Sequence, residues 1–490
     1  MFRSQAVRGE KEFLLSALVK PFADFRDLRP LLQNIDNVLY LLLIVFLPTQ
    51  LGRHFWLNDS IVGGMRVDYL SPTLYLTDLL IVSLFFATVF KKKTYIVLSP
   101  MVKHRYFLAL LFCVVFINIV LADYPVIGIY GLVKLMELVF FGLYTKYVFQ
   151  KMNRNILISF SIGMLFESAI AIFQFVKQSS VGGLLYFFGE RAFHSQTPGI
   201  ANASVYGHLV LRPYGTFPHP NVLAGYLLVG IMLLVLCLRA NTSLKKNRLL
   251  FIFIIFISSI ALFITLSRIA IILWLMSVFW IVFIKGQWGP FQAGTKFYCS
   301  SGGRLRRPES RTVTSRLATL ARRIINIERN SSLILFFIFT LSLFLFSETA
   351  RGRFTENIFT GESLEQRLQL AISAITMWQA HPIFGVGLNN FLTHLPAYYP
   401  GKSLIFYLQP VHNVFLLTLA EGGVIIFLPL LFFFWRTYEF CKKSSSLLLI
   451  VTFFILGSID HYLFTLQQGQ LLTAFVFGFL WVKNKIHIID

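Results

Sequence analysis

Apolar residues come in long runs separated by short polar breaks that carry Lys and Arg, and most runs exceed the length of a strand or of a half-buried helix in a soluble globule. At about 20 residues per crossing of the hydrocarbon layer, the pattern predicts membrane spans at 38–56, 73–90, 106–122, 126–149, 155–176, 220–238, 249–266, 269–285, 332–348, 411–435, 446–463 and 468–483. The expected fold is an all-α polytopic membrane domain of about 12 transmembrane helices over 38–483, flanked by an N-terminal segment 1–37 and a tail 484–490. Three breaks are long: 177–219, 349–410 and the basic stretch 286–331. In 349–410, between spans nine and ten, Ser363 and Gln366 have capping-box spacing, and Leu364, Leu368, Ala371, Ile372 and Ile375 follow at helical spacing. This predicts a helix lying along the membrane, stopped by His381-Pro382.

Charge gives the layout a direction. With residue 1 in the cytoplasm, the inside segments hold 33 of the 44 Lys and Arg, so both termini are expected in the cytoplasm and the loops 177–219 and 349–410 outside. A formal charge of +22 would point to nucleic acid in a soluble protein; in a chain that is 56% hydrophobic and 13% charged it is spent on orientation, and no nucleic-acid partner is expected. The stretch SRLATLARRIINIERN in the basic loop fits a helix on anionic membrane lipids. The absence of an apolar core close behind the first charges argues against a cleavable signal peptide, and the four cysteines lie within spans or inside.

Candidate chemistry gathers in the outer segments, which also hold eight of the ten histidines. In LRPYGTFPHPNVLAGY, Arg212, His219, Pro220 and Asn221 lead into span six, whose first N–H groups and dipole would face outward as an anion site. Arg268 sits in the tight TLSRIA connection at the membrane boundary, where an unpaired charge is costly; either an anionic ligand or a carboxylate such as Asp460 or Asp68 would answer it. Arg367 lies at the edge of the apolar stripe of the loop helix, and Gly385 and Gly387 after His381 read as a tight turn. His412 and Asn413 open span ten with Glu421 two turns deeper; a neutral imidazole there could take a proton from a hydroxyl, or simply cap the helix. Lys134, Glu137 and Glu167 are expected to pair within the bundle, and Asp460-His461 closes span eleven at the same face. No short-range metal-ligand spacing is present, so neither metal nor other cofactor is expected.

The ordered set of Arg212 in RPYGTFPHPNVLAGY, Arg268 in TLSRIA, Arg367 with the HPIFGVGLNNF block, and His412-Asn413 followed by Gly422-Gly423 resembles the O-antigen ligase and polymerase superfamily of bacterial envelope glycosyltransferases, over roughly 200–430. The adjacent glycines depart from the wider glycine spacing usual in that family. The resemblance implies transfer of a glycan from an undecaprenyl-pyrophosphate carrier to an acceptor hydroxyl at the outer face of the bacterial cytoplasmic membrane, without metal and with inversion. His412 would be the base, and Arg212 and Arg268 would hold the pyrophosphate. Arg367, Asn413, His219, Asn221 and His381 would position donor or acceptor. The acceptor could be a lipid, a growing glycan or a protein. A transporter or flippase of an anionic lipid-linked substrate is the alternative, which would instead spread charges along a central path.

Overall fold

The computed structural model describes residues 34–102, 104–205, 208–240, 247–283, 352, 362–399, 408–442 and 444–482. The predicted span 332–348, the amphipathic stretch of the basic loop, most of the N-terminal segment, the tail and the Ser363 side chain lie outside the described residues.

Each predicted span on described residues contains a helix. In chain order the helices are α1 (Ile35–Phe46), α2 (Leu76–Phe90), the unpredicted α3 (Thr94–Val102), α4 (Arg105–Val120), α5 (Pro125–Lys177), α6 (Pro220–Ala240), α7 (Arg248–Ile264), α8 (Arg268–Phe283), then, past the predicted ninth span and the loop helices α9 (Glu362–Ala380) and α10 (Phe391–Tyr398), α11 (Val414–Cys441), α12 (Leu447–Ile459), the short α13 (Tyr462–Thr465) and α14 (Gln467–Leu480). Non-helical Met152 divides α5 into the two predicted spans. Among the described residues, Pro125–Phe149, Lys151–Lys177, Pro220–Arg239 and Val414–Cys441 are long and apolar enough to cross a membrane alone, and the bent pair α3 and α4 makes a fifth candidate. The chain is thus a mostly helical membrane protein. At the centre stands α6, whose Val222, Leu223, Leu227, Leu233 and Val235 are all buried in one core with α1, α5, α7 and α14.

The loop helix predicted between spans nine and ten is α9 (Glu362–Ala380), followed by the short α10 (Phe391–Tyr398). The stop at His381-Pro382 has a specific use. At Gly423, with φ 57° and ψ −169°, α11 breaks, which frees backbone groups deep in the bundle. The segment 382–387 takes them up: Val386 N donates to Ala420 O at 2.9 Å, Gly387 N to Glu421 O at 2.9 Å, and Val424 N to Pro382 O at 3.0 Å. Asn118 of α4 seals the junction, donating to Phe384 O and Glu421 O and accepting from Leu388 N. Irregular backbone is tolerated in a membrane only when satisfied in this way.

The first predicted span needs correction. Helix α1 stops at Phe46, because Pro48 has no N–H to continue it, and 52–75 fold into two small antiparallel pairs, β1 (Gly52–His54) with β4 (Thr73–Tyr75) and β2 (Ile61–Val62) with β3 (Met65–Arg66). Exposed Leu51, Phe55, Trp56 and Leu57 extend the apolar run in sequence without entering a core. The segment 177–219 holds a 3-10 turn over Gly183–Phe188 and a hairpin of β5 (Asn202–Val205) and β6 (His208–Leu211).

Candidate functional site

The approach to α6 is pinned by polar side chains of α5. Gln174 Oε1 accepts from Tyr214 N at 2.9 Å and Gly215 N at 2.8 Å, and its Nε2 donates to Gly215 O at 2.9 Å. Glu167 accepts from Thr216 N at 2.8 Å and from Thr216 Oγ1 at 2.6 Å. Glu167 therefore does not join Lys134, which pairs with Asp78 and, at 3.6 Å, with Glu137. With the turn fixed, Arg212 and His219 have defined positions.

Arg212 is buried, its Nε donating to Thr265 O at 2.7 Å and a terminal nitrogen to Asn221 Oδ1 at 2.7 Å. The guanidinium fork thus ties the start of α6 to the turn that leads into α8 and Arg268. The first N–H groups of α6 do not point outward unsatisfied, as the sequence had led one to expect. Asn221 N donates to His219 Nδ1 at 3.1 Å, and Val222 N and Leu223 N donate to His219 O at 3.0 and 3.3 Å. Burial and then the Arg212 charge push the His219 imidazole down to about 3, so it is neutral.

Asn413, not His412, caps α11: its Oδ1 accepts from Phe415 N and Leu416 N at 2.9 Å each, and its Nδ2 donates to Ser458 O at 3.0 Å. That last bond ties the head of α11 to the tail of α12, and so sets His412 beside Asp460. Nδ1 of His412 lies 3.4 Å from Asp460 Oδ1, at ion-pair distance but without the alignment of a hydrogen bond. Asp460 Oδ1 accepts from His461 N at 2.8 Å. Burial, the largest single influence, would raise the Asp460 carboxyl, but His412, His461 and His219 together outweigh it and hold the group well below the usual carboxylate range. The His461 ring lies 5.0 Å from that of His412 and 5.6 Å from that of Tyr69; burial pushes its imidazole down to about 3 against the opposing pull of Asp460. Arg367 reaches across from α9, 3.5 Å from Ile459 O.

These groups head a cavity of about 2180 Å³ whose lining includes His219, Asn221, Arg367, His412, Asp460 and His461. Arg212, Arg268, Asn413 and His381 do not line it. Of the residues that the resemblance places at the pyrophosphate and the acceptor, His412 lines the cavity, Arg212 clamps Asn221 and the Thr265 carbonyl from outside the lining, and Arg268 opens α8 just beyond Thr265. His381 lies apart, 3.4 Å from the Tyr398 hydroxyl. Glu421 lines the cavity and accepts from Phe391 N at 3.2 Å, at the start of α10.

Two contributions were not read from the sequence. The segment 52–75 and the loop after the 3-10 turn form a second wall, where Arg191 approaches Asp68 at 3.9 Å and His54 and Tyr186 join the lining. The polar Thr49-Gln50 and Gly52-Arg53-His54 inside the first apolar run were the available signal. In addition, among the described residues His412, Asp460 and His461 offer ligand atoms within 4.8 Å of one another, a grouping able to hold a metal ion. Spacing along the chain hides it, since Asp460 and His461 come from another helix end. The charge nearby is mixed, because Arg367 acts on His461 and on neighbouring His219.

Residues 251–431, from α7 into α11, match the family model described as O-Antigen ligase, which supports the O-antigen ligase superfamily as the relationship that the ordered motifs indicate. The matched segment contains Arg268, Arg367, His381, His412 and Asn413 and ends short of Asp460. No curated protein matches the chain at a significant level.

Proposed function

We propose, from the O-antigen ligase match and the cavity headed by His412, that this membrane protein is a glycan transferase: it moves a glycan from an undecaprenyl-pyrophosphate carrier to an acceptor hydroxyl, on the outer side of the bacterial cytoplasmic membrane that the charge bias indicates. The observation that carries the proposal is the meeting of an imidazole, a carboxylate and a guanidinium, His412, Asp460 and Arg367, at one end of a long cavity. Asp460 orients the His412 ring through Nδ1 and leaves Nε2 to take the proton of the acceptor hydroxyl. The hydroxyl oxygen attacks the anomeric carbon while the bond from that carbon to the pyrophosphate oxygen breaks, and the leaving group departs with the electron pair. Arg367 lines the same cavity, close enough to act on His461, and suits the departing charge. Arg212 acts through the wall it holds. Attack from the side opposite the pyrophosphate inverts the anomeric centre.

A second reading has its own observation: His412, Asp460 and His461 together could bind a divalent ion, which would take His412 out of base catalysis. Both are tested by incubating purified protein with the lipid-pyrophosphate glycan and candidate acceptors, with and without chelator, in wild type and in His412→Ala, Arg367→Ala and Arg268→Ala. Transfer that survives chelation and falls at least about a hundredfold in His412→Ala supports the base. Transfer abolished by chelator and restored by one divalent ion favours the metal; full transfer in all three variants overturns the site. Movement of the carrier across vesicles without transfer would favour the flippase alternative.

A further inference from the structure

The cavity does not end at His412. Leu417 and Phe440, near opposite ends of α11, both line it, so it runs along most of that broken helix. Its volume of about 2180 Å³ exceeds the roughly 300–1,000 Å³ of small-molecule pockets. Leu108 and Leu111 of α4, Leu135 and Leu138 of α5, and Leu430 and Phe433 of α11 make the shaft apolar. At the end remote from His412 the lining becomes basic and aromatic, with Lys146, Arg436, His104 and Trp481; the Lys146 ammonium lies 5.9 Å from the centre of the Trp481 ring. The carboxylates of the lining, Asp68, Glu190, Glu421 and Asp460, all belong to the His412 half.

We infer that this remote end binds an anionic phospholipid of the leaflet opposite His412, the phosphate at Lys146 and Arg436 and the acyl chains in the apolar shaft. Charge complementarity selects the occupant. A polyprenyl chain hanging from a pyrophosphate near His412 is apolar at its far tip and offers Lys146 and Arg436 nothing to pair with. A phospholipid entering from the other side brings its phosphate to that depth and its chains to Leu138 and Phe433. Sidedness follows from the Lys and Arg bias, which assigns this end to the cytoplasmic leaflet. The site does not depend on the transfer chemistry.

The test uses the full chain purified in detergent and titrated with phosphatidylglycerol or phosphatidylcholine under native mass spectrometry. Phosphatidylglycerol is expected to bind in preference to phosphatidylcholine, about fivefold more weakly in Lys146→Gln or Arg436→Gln and about 25-fold more weakly in the double variant. Lys146→Arg restores binding, and Lys442→Gln, outside the lining, leaves it unchanged. Thermal unfolding of each variant is measured alongside; if the double variant fails to fold, the single variants and the Lys146→Arg rescue decide. Equal binding of the two lipids, unchanged binding in the glutamine variants, or displacement of phosphatidylglycerol one for one by undecaprenyl phosphate would overturn the proposal, the last assigning the shaft to the polyprenyl chain.

Discussion

His412 Nδ1 lies 3.4 Å from Asp460 Oδ1, although the two residues belong to the ends of different helices, which Asn413 joins by donating to Ser458 O. If Asp460 orients the imidazole, Asp460→Asn lowers the turnover number on the order of tenfold or more and leaves the KM for the lipid-linked donor unchanged. Steady-state kinetics on the reconstituted enzyme check this. A drop in donor affinity alone would assign Asp460 to binding.

Arg212 spans Thr265 O and Asn221 Oδ1 with one planar fork, which a lysine cannot reproduce. Arg212→Lys is expected to cost about 1.5–3 kcal/mol, the range for a buried hydrogen bond to a charged group, visible as a lower thermal midpoint in detergent. Asn221→Ala should share part of that loss, because it removes one arm of the same clamp. A variant as stable as wild type but inactive would instead mark Arg212 as a direct ligand of the donor.

Gly423 holds φ 57° and ψ −169°, and a Cβ placed there would stand 2.2 Å from Ile383 O. Gly423→Ala is expected to destabilise by about 3 kcal/mol or more, from backbone strain and the forced separation of 382–387 from α11. Gly63→Ala, with positive φ but open space around it, should cost less. Parallel thermal melts of the two variants make the comparison.

His219 and His461 both have folded values of about 3 against 6.5 for the free side chain. Below pH 6.5 the unfolded chain takes up protons that the folded chain refuses, so each group costs about 1.4 kcal/mol of stability per pH unit as pH falls from about 6.5 toward 3. The unfolding midpoint should therefore drop on acidification, and His461→Gln should flatten that slope. An identical slope in the variant would show that His461 is not held neutral.

The membrane class and the position of most of the described long helices follow from the sequence itself, because apolar runs of spanning length have few other stable states and backbone groups in lipid must bond internally. The residue types of the site are also local: His412 and Asp460-His461 stand at helix ends and Arg367 in the second turn of α9. The first run misled for a physical reason, since Phe55 and Trp56 are as apolar on the exposed segment after β1 as in a core. Which of the candidates share a cavity was not legible, because that depends on contacts between distant segments. Glu167 and Gln174 fix the turn before α6, Asn413 joins α11 to α12, and 382–387 mend the break at Gly423. Those long-range bonds put Arg212 behind the wall and brought Arg367, His412, Asp460 and His461 to the front; hydropathy records how each segment meets lipid and carries no term for how segments meet one another.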